Sequence, residues 1–195
     1  MSSITNPVVT LYLLKNMKTF LRKSISVVLA VAVLTLATDL VQAQRQRPRG
    51  AGSLGEMKCQ QIKEGNYSAI NEDIPIGLEI FRAVAYLGNA RWIYDRPIQV
   101  ACRLAAPGEK PRFKTLTLAF GLPDNHPYPK GALVRLSVYK DGNFFDYKDV
   151  TFGQQILWPI NVTNVRSIAL EGECKRSSER SSSCPAIYFY QDILD

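Results

Sequence analysis

The run FKTLTLAF at residues 113–120 decides the fold, together with LVRLSVY at 133–139 and VRSIAL at 165–170. In these runs apolar and polar residues alternate with a period of two. That period is typical of a β-strand with one side on a core and the other in water. Two sets of apolar side chains are each expected to share one face: Leu116, Leu118, Phe120; and Val134, Leu136, Val138. The runs therefore predict strands of an antiparallel sheet.

The dipeptide Asp141-Gly142 predicts a tight hairpin directly after the second run. Asp-Gly supplies the two positive φ angles of a type I′ turn, which suits the twist of antiparallel strands. Tyr139-Lys140 and Asn143-Phe144 are then expected to pair across the turn.

Further strand signals recur along the chain, and short stretches rich in Gly, Pro, Asn and Asp separate them. We expect these additional strands at residues 91–94, 98–104, 143–152 and 186–190. The pattern of a long helix is missing from the sequence. Short strands at short intervals predict an all-β protein, an antiparallel β-sandwich with jelly-roll topology.

Residues 1–43 have the pattern of a secretory signal peptide. A cluster of basic residues precedes an apolar run at 25–37, and small residues stand where signal peptidase reads, so cleavage is expected after Ala43. From this pattern we expect translation to start at Met17 rather than at Met1. The alternative is an uncleaved anchor, although the apolar run is shorter than the ~20 residues that span a bilayer.

The exported part is expected to hold a flexible basic arm at 44–56 and a single β-sandwich domain at 57–195. The arm has no apolar periodicity. We expect the protein to be secreted or periplasmic, or to lie at the cell surface, with no membrane span after signal cleavage.

Charge argues against a nucleic-acid partner. The whole chain has a formal net charge of +7. Residues 1–43 hold four basic residues and one acid, so the exported part carries 7 − 3 = +4. This value is too modest for the electrostatic footprint of a nucleic-acid-binding domain.

The four cysteines predict two disulfides, because all of them lie in the exported part and their number is even. None of their spacings is C-x-x-C, which disfavours zinc or thioredoxin chemistry. Three pairings are open, and we favour the pair that closes the polar loop 175–183 and the pair that ties the N-terminal segment to a strand: Cys174–Cys184 and Cys59–Cys102.

Catalysis is not expected. The sequence has one histidine, His126, which lies in a Pro-containing loop, and no serine lies in a G-x-S-x-G elbow. Glu171 and Glu173 would share a strand face, as the two carboxylates of a small glycosidase would. We favour the interpretation that this is a solvated strand end.

The order of these segments resembles the galactose-binding-like carbohydrate-binding modules that are found beside family 98 glycoside hydrolases. The resemblance covers residues 86–194. Residues 134–142 are similar to the family's valine-rich hairpin that ends in aspartate-glycine. The other matching blocks are residues 94–100, 113–121 with Asp124, 165–170 and 188–194. The resemblance implies a galactose-binding-like jelly roll and non-catalytic binding of a glycan or polysaccharide.

Such binding would need an exposed aromatic ring against a pyranose face and planar polar groups for the sugar hydroxyls. The candidate rings are Trp92, Tyr128, Trp158 and Tyr188, and the candidate polar partners are Asn89, Arg91, Asp124 and Asn125. For Trp92 and Trp158 we favour a ring that is buried in the core over a ring that binds a ligand.

No cofactor is expected apart from a candidate structural calcium ion, which jelly-roll sugar modules often hold through loop oxygens. Asp124 and Asp141 are the candidate ligands by residue type. The alternative to glycan binding is a structural or protein-interaction module whose partner is a cell-envelope protein.

Overall fold

A computed structural model describes residues 50–127, 130–177 and 181–195. The predicted signal peptide at 1–43, the first six residues of the predicted arm and Tyr128 lie outside the described residues. Within them the chain forms eleven strands and one 3-10 turn at Leu54–Glu56. The strands are β1 (Gly52–Ser53), β2 (Lys58–Gln61), β3 (Asn66–Ile76), β4 (Glu79–Ile93), β5 (Ile98–Arg103), β6 (Thr115–Gly121), β7 (Leu133–Lys140), β8 (Asn143–Thr151), β9 (Gln155–Asn161), β10 (Ser167–Arg176) and β11 (Cys184–Leu194).

The strands form two antiparallel sheets. Sheet A has the order β3-β4-β11-β6-β9, with β1 on β11, and sheet B has the order β2-β5-β10-β7-β8. Four nested pairs, β4–β11, β5–β10, β6–β9 and β7–β8, show that the chain is one long hairpin rolled over itself. This is the pairing of a jelly roll, so the predicted fold class is confirmed.

The main core lies between the two sheets and follows the alternation of the sequence. Leu116, Leu118 and Phe120 reach it from sheet A, and Val134, Leu136 and Val138 reach it from sheet B, all fully buried. The predicted hairpin is also confirmed, because Lys140 pairs with Asn143 and Tyr139 pairs with Phe144. Asp141 and Gly142 have φ angles of 47° and 83°.

A second apolar cluster covers the outer face of sheet A. Ile187 and Phe189 of β11 point into the main core, so the intervening Tyr188 must point outward. Tyr188 packs there with Ile74 and Ile76 of β3. The β3–β4 hairpin therefore folds over the outer face of its own sheet and buries a second set of apolar side chains.

The tip of this hairpin is tied down by polar contacts. The Leu78 amide donates to Asp124 Oδ2 at 2.8 Å, and the Asp124 amide donates to the Pro75 carbonyl at 2.7 Å. Gln155 Nε2 donates to the Ile76 carbonyl at 3.1 Å. These bonds hold the hairpin tip against the ends of β6 and β9.

The prediction of an arm that extends to residue 56 is wrong for its last five residues. Gly52–Ser53 pairs with β11, and Leu54 is fully buried. The buried Asp192 carboxylate accepts hydrogen bonds from Ser53 Oγ, the Gly55 amide and Tyr67 Oη at 2.7–2.9 Å. The S-x-x-E capping box of Ser53 and Glu56 was the missed sequence signal, because it starts the 3-10 turn.

Both predicted disulfides are confirmed, Cys59–Cys102 and Cys174–Cys184. Cys59 and Cys102 face each other across the β2–β5 pair. The first bond therefore fixes the edge strand β2 to sheet B, and the second joins sheet B to β11 of sheet A.

Candidate functional site

Strand β4 carries a wide bulge where several of the predicted ligand-binding residues lie. Leu87 pairs with Ile187 and Trp92 pairs with Pro185, so four residues of β4 face a single residue, Ala186, of β11. Ala90 and Arg91 have positive φ angles of 48° and 72°, a region that side chains other than glycine seldom adopt. Gly88 stays buried, whereas residues 89–91 of the bulge are exposed, among them the predicted residue Asn89.

Gly88 is required at the base of the bulge. A Cβ at this position would lie 2.6 Å from the Ala186 Cβ and 3.2 Å from the Trp92 carbonyl oxygen. Only glycine lets the chain turn away so close to β11.

Arg91 braces the bulge against sheet A. Its Nη2 donates to Glu72 Oε1 at 2.6 Å. The pKa of Arg91 is raised, mainly through its interaction with Tyr188 and also through Glu72. Burial raises the pKa of Tyr188, which is only 3% exposed. The Tyr188 ring is therefore not available for stacking against a sugar, and Arg91 is partly occupied by structural contacts.

The structure brings Trp92 next to the loop that carries Asp124 and Asn125. The Trp92 ring meets the His126 ring edge-on, with 4.4 Å between the centroids. Trp92 is half-buried and Asn125 is exposed. The predicted residues of β4 and of this loop thus share one region of the molecule, although the sequence separates them by more than thirty positions.

A pocket of about 460 Å³ opens beside the bulge at the rim of the sandwich. Asn89 lines it together with residues of the β2–β3 and β4–β5 loops and the first residue of β5. These are Glu64, Tyr94, Asp95, Arg96 and Ile98. Tyr94 is 46% exposed, so its ring is offered to solvent next to an amide, two carboxylates and a guanidinium. An exposed ring among planar polar groups can bind a small hydroxyl-rich ligand.

Sequence reasoning placed only Asn89 in this pocket. Tyr94 ends the predicted strand 91–94, and residues 95–97 separate it from the predicted strand 98–104. The juxtaposition of exposed Tyr94 with Asp95 and Arg96 was the available signal. Glu64 reaches the pocket from the β2–β3 loop, more than twenty positions before Asn89, and the sequence alone does not indicate that the two residues meet.

Trp158 does not belong to a ligand site. It is 6% exposed and packs in the main core, because alternation along β9 turns it inward. Its ring is approached by Lys148 Nζ, 5.2 Å from the centroid. The interpretation of this ring as core is the one that the structure shows.

The two candidate calcium ligands lie at opposite ends of the sandwich. Asp141 lies two residues before β8, whereas Asp124 binds the Leu78 turn, which lies against Gly153 beyond the other end of β8. A nine-residue strand such as β8 spans about 25–30 Å. A single ion therefore cannot bind both carboxylates.

Asp141 already has three hydrogen-bond donors on Oδ1, namely the Arg166 amide, the Ser167 amide and Ser167 Oγ. In the part of the chain that the structure describes, no group of three or more His, Cys, Asp or Glu side chains could hold a metal ion. Calcium binding stays a prediction for a single-carboxylate loop site at Asp124.

Glu171 and Glu173 share the outer face of sheet B, as predicted. Glu171 accepts hydrogen bonds from Lys63 Nζ at 2.9 Å and from Tyr139 Oη at 3.0 Å. Glu173 pairs with Lys175 at 3.1 Å. Neither residue lines the rim pocket. Each carboxylate thus has a structural partner on an open sheet face.

Across residues 50–127, 130–177 and 181–195, no helix is long and apolar enough to cross a membrane.

Comparison of the sequence with protein-family models and with curated proteins finds no match. Solved structures with a similar chain path include the CBM51-2 and INT domains of ZmpB from Clostridium perfringens, in complex with GlcNAc. That match has a TM-score of 0.47 and 12% identity, and covers 79% of this chain and 31% of the other. The ZmpB chain is thus about three times as long as the part that is matched.

Two further matches are single modules. One is CBM51 from a Clostridium perfringens GH95 protein in complex with methyl-galactose, with a TM-score of 0.45, 14% identity, and coverage of 78% of this chain and 97% of that one. The other is the CBM22-1 xylan-binding domain of Xyn10C from Paenibacillus barcinonensis, with a TM-score of 0.40, 11% identity, and coverage of 74% and 90%. In all three matches the identity is low, and the similarity is one of chain path alone.

Proposed function

We propose that this protein is a secreted, non-catalytic carbohydrate-binding module whose sugar site is the rim pocket around Tyr94. The observation that carries the proposal is the combination of one exposed ring with an amide, carboxylates and a guanidinium around a pocket of about 460 Å³. This volume lies in the range of small-ligand sites.

The roles of the pocket residues follow from their chemistry. The Tyr94 ring would lie against the apolar face of a pyranose. Asn89 and Arg96 would donate hydrogen bonds to hydroxyls, and Glu64 and Asp95 would accept them. The braced bulge, with Arg91 bound to Glu72, would keep Asn89 in place before the sugar arrives.

Secretion and the lack of catalysis are parts of the same proposal. Two disulfides are typical of proteins from an oxidising compartment, which supports export. The two carboxylates that could have served a glycosidase are held by Lys63, Tyr139 and Lys175, which supports binding without hydrolysis.

The test is calorimetric titration of the purified protein with neutral oligosaccharides chosen from a glycan array. Tyr94→Ala is expected to weaken binding about tenfold, because truncation of a central aromatic contact costs more than 1 kcal/mol. Asn89→Ala is expected to give a smaller loss in the same direction.

Tyr147→Ala is the matched control, because Tyr147 is 42% exposed and Tyr94 is 46% exposed, but Tyr147 lies on the far face of sheet B. This variant should bind like the unmodified protein. Lack of binding to any sugar at millimolar concentration, or an equal loss in Tyr147→Ala, would contradict the proposal.

The second candidate function is a protein-interaction module with a cell-envelope partner. Leu78 is 97% exposed and Ile80 is 76% exposed at the tip of the β3–β4 hairpin. The tip therefore presents an apolar patch to solvent. A partner that binds the unmodified protein in a one-to-one ratio and loses binding to Leu78→Ser would favour this function.

A further inference from the structure

A second pocket lies on the outer face of sheet B, away from Tyr94, and its charge differs from that of the rim pocket. It has a volume of about 360 Å³ and is lined by residues of β2 and β5 and of the segments around 105–107 and 166–167. These are Lys58, Gln60, Ala101, Cys102, Arg103, Ala105, Pro107, Arg166 and Ser167. Three of the lining side chains are cationic and none is acidic.

The strand register brings two of the cations together. Lys58 and Arg103 are direct partners in the β2–β5 pair, on the same outer face. Like charges directly opposite each other destabilise a sheet. In the part of the chain that the structure describes, neither of them forms an ion pair with a carboxylate. An anion bound between them would relieve this repulsion.

The third cation, Arg166, is held in position by backbone oxygens. Its Nη1 donates to the Glu109 carbonyl at 3.2 Å and its Nη2 donates to the Ala106 carbonyl at 3.0 Å. Carbonyl partners orient the guanidinium but leave its charge uncompensated. The neighbouring carboxylate, Asp141, is engaged by the Arg166 and Ser167 amides and by Ser167 Oγ.

The rest of this face limits how much negative charge a ligand can carry. Next to the cations, Ala101 pairs with Ala169, and Ala169 pairs with Tyr139. The two small alanine side chains therefore lie between the cations and the Tyr139 ring on this face. One row further along the strands stands Glu171, and Glu173 follows it. Glu171 is paired with Lys63 and Glu173 with Lys175, so this part of the face has no spare positive charge for a ligand with negative charge along its whole length, such as a nucleic acid.

We propose that this pocket binds the anionic group, a carboxylate or a sulfate, of an acidic polysaccharide, while the adjoining uncharged part of the ligand lies along Ala101 and Ala169 toward Tyr139. The inference rests on the proposed function in that it takes the ligand to be a glycan. It adds a second site and names the chemical class of sugar.

The experiment uses calorimetry to compare three oligosaccharides of equal length and the same neutral backbone: one that carries a single uronate at its end, one that carries a single sulfate there, and the uncharged form. The first two should bind the unmodified protein, and the charge-assisted part should weaken as salt rises from 0.05 to about 0.5 M. The stronger of the two identifies carboxylate or sulfate as the preferred group.

The double variant Lys58→Gln, Arg103→Gln should weaken binding of the anionic ligand about tenfold or more. The reason is that each lost charge-assisted hydrogen bond contributes substantially to the free energy of binding. The matched control is Arg82→Gln, Lys130→Gln, which removes two exposed positive charges elsewhere. It should bind the anionic ligand like the unmodified protein. The thermal midpoint of the control variant should stay unchanged, because its two side chains are exposed, and that of Lys58→Gln, Arg103→Gln should stay the same or rise slightly, because the repulsion across the β2–β5 pair is removed.

An equal loss in the control variant, or equally tight binding of a single-stranded DNA of the same length, would overturn the inference, because either result means unspecific attraction of polyanions. The two proposals can fail separately. Neutral sugar binding that depends on Tyr94, with no binding of either anionic ligand, removes only this inference. Anionic binding that depends on Lys58 and Arg103, with no neutral binding, removes only the rim pocket.

Discussion

The outer faces of the two sheets have opposite characters. Sheet A turns Ala186 and Tyr188 outward, and the β3–β4 hairpin covers them with Ile74 and Ile76. The outward side chains of sheet B are charged, small or aromatic, and several of them, such as Lys58, Arg103 and Tyr147, are exposed. The same alternation that builds one shared core thus gives one sheet a second layer of packing and leaves the other sheet free to meet a ligand.

The aromatic rings show the same difference. On sheet A, Phe81 and Tyr190 stack on each other with 4.3 Å between their centroids. On sheet B, the rings of the edge strand β8 are covered by cations: the Arg135 guanidinium lies 3.8 Å from the Tyr147 ring centroid. Rings on sheet A therefore contribute to stability by mutual burial, whereas those on sheet B keep contact with solvent.

The largest expected effect tests whether the covered face is a core in the energetic sense. Ile76→Ala should lower the free energy of unfolding by about 2–5 kcal/mol, because it opens a cavity in a fully buried cluster. Tyr147→Ala on the open face should cost less than about 1 kcal/mol, although it removes a larger side chain. Urea denaturation measures both. Similar losses in the two variants would contradict the distinction between the faces.

A smaller effect is expected from adding volume rather than removing it. A Cβ at Gly121 would lie 2.5 Å from Ile76 Cγ2 and 2.7 Å from the Gln154 carbonyl oxygen. Gly121→Ala should therefore cost about 1–3 kcal/mol through overpacking beneath the hairpin. Ala169→Val adds more atoms to the open face of sheet B and should cost less. A stable Gly121→Ala variant would mean that the hairpin packs loosely.

Two tyrosines extend the comparison to high pH. Burial raises the pKa of Tyr67 well above its usual value, and Asp192 raises it further. The stability from this group is fully present below the unfolded pKa of about 10 and is lost as pH rises above it toward the folded pKa. Tyr67→Phe should cost about 1.5 kcal/mol at neutral pH through the lost hydrogen bond to Asp192, and should flatten the alkaline decline.

Tyr139 on the open face is the control for this measurement. Its pKa is also raised, first by burial and then by its hydrogen bond to Glu171, but it lies nearer the solvent. Tyr139→Phe should change the alkaline slope less than Tyr67→Phe does. Equal changes in thermal midpoints between pH 8 and 11 would show that the two environments do not differ.

Two tight turns show how far the sequence predicts the fold. The pair Asp141-Gly142 predicts its hairpin, because both residue types tolerate positive φ. Gly77 and Leu78 form an equally tight turn, with φ angles of 63° and 68°, but leucine gives no such signal. Contacts of the tip with Asp124 and Gln155 hold Leu78 in this conformation, and such contacts between distant residues cannot be read from a local pattern.

The candidate site, like the fold, was predictable from the sequence only in part. The sequence pattern predicts Arg91 and Trp92 in a strand that follows Asn89, and residue type marks all three as polar or aromatic candidates. The bulge that exposes Asn89 depends on the mismatch between β4 and β11. The partners of Asn89 in the rim pocket come from other loops, so only the folded chain assembles them.

The smallest expected effect lies on the open face at low pH. The hydrogen bond from Arg135 lowers the pKa of Asp149 against the opposing effect of burial, and the charge of Arg135 lowers it further. A lowered pKa means that the stability from this carboxylate is present above its unfolded pKa of about 3.9 and is lost as pH falls through the folded pKa. Asp149→Asn should therefore flatten the loss of stability below pH 4 and change little at pH 7, because the pair is partly exposed to water.

Thermal midpoints between pH 2.5 and 7 measure the slope, and Asp73→Asn serves as the control, since its bridge to Arg82 is still more exposed. A large loss of stability at pH 7 in Asp149→Asn would mean that the outer face of sheet B is structural as well, and would weaken the case that it is free for a ligand.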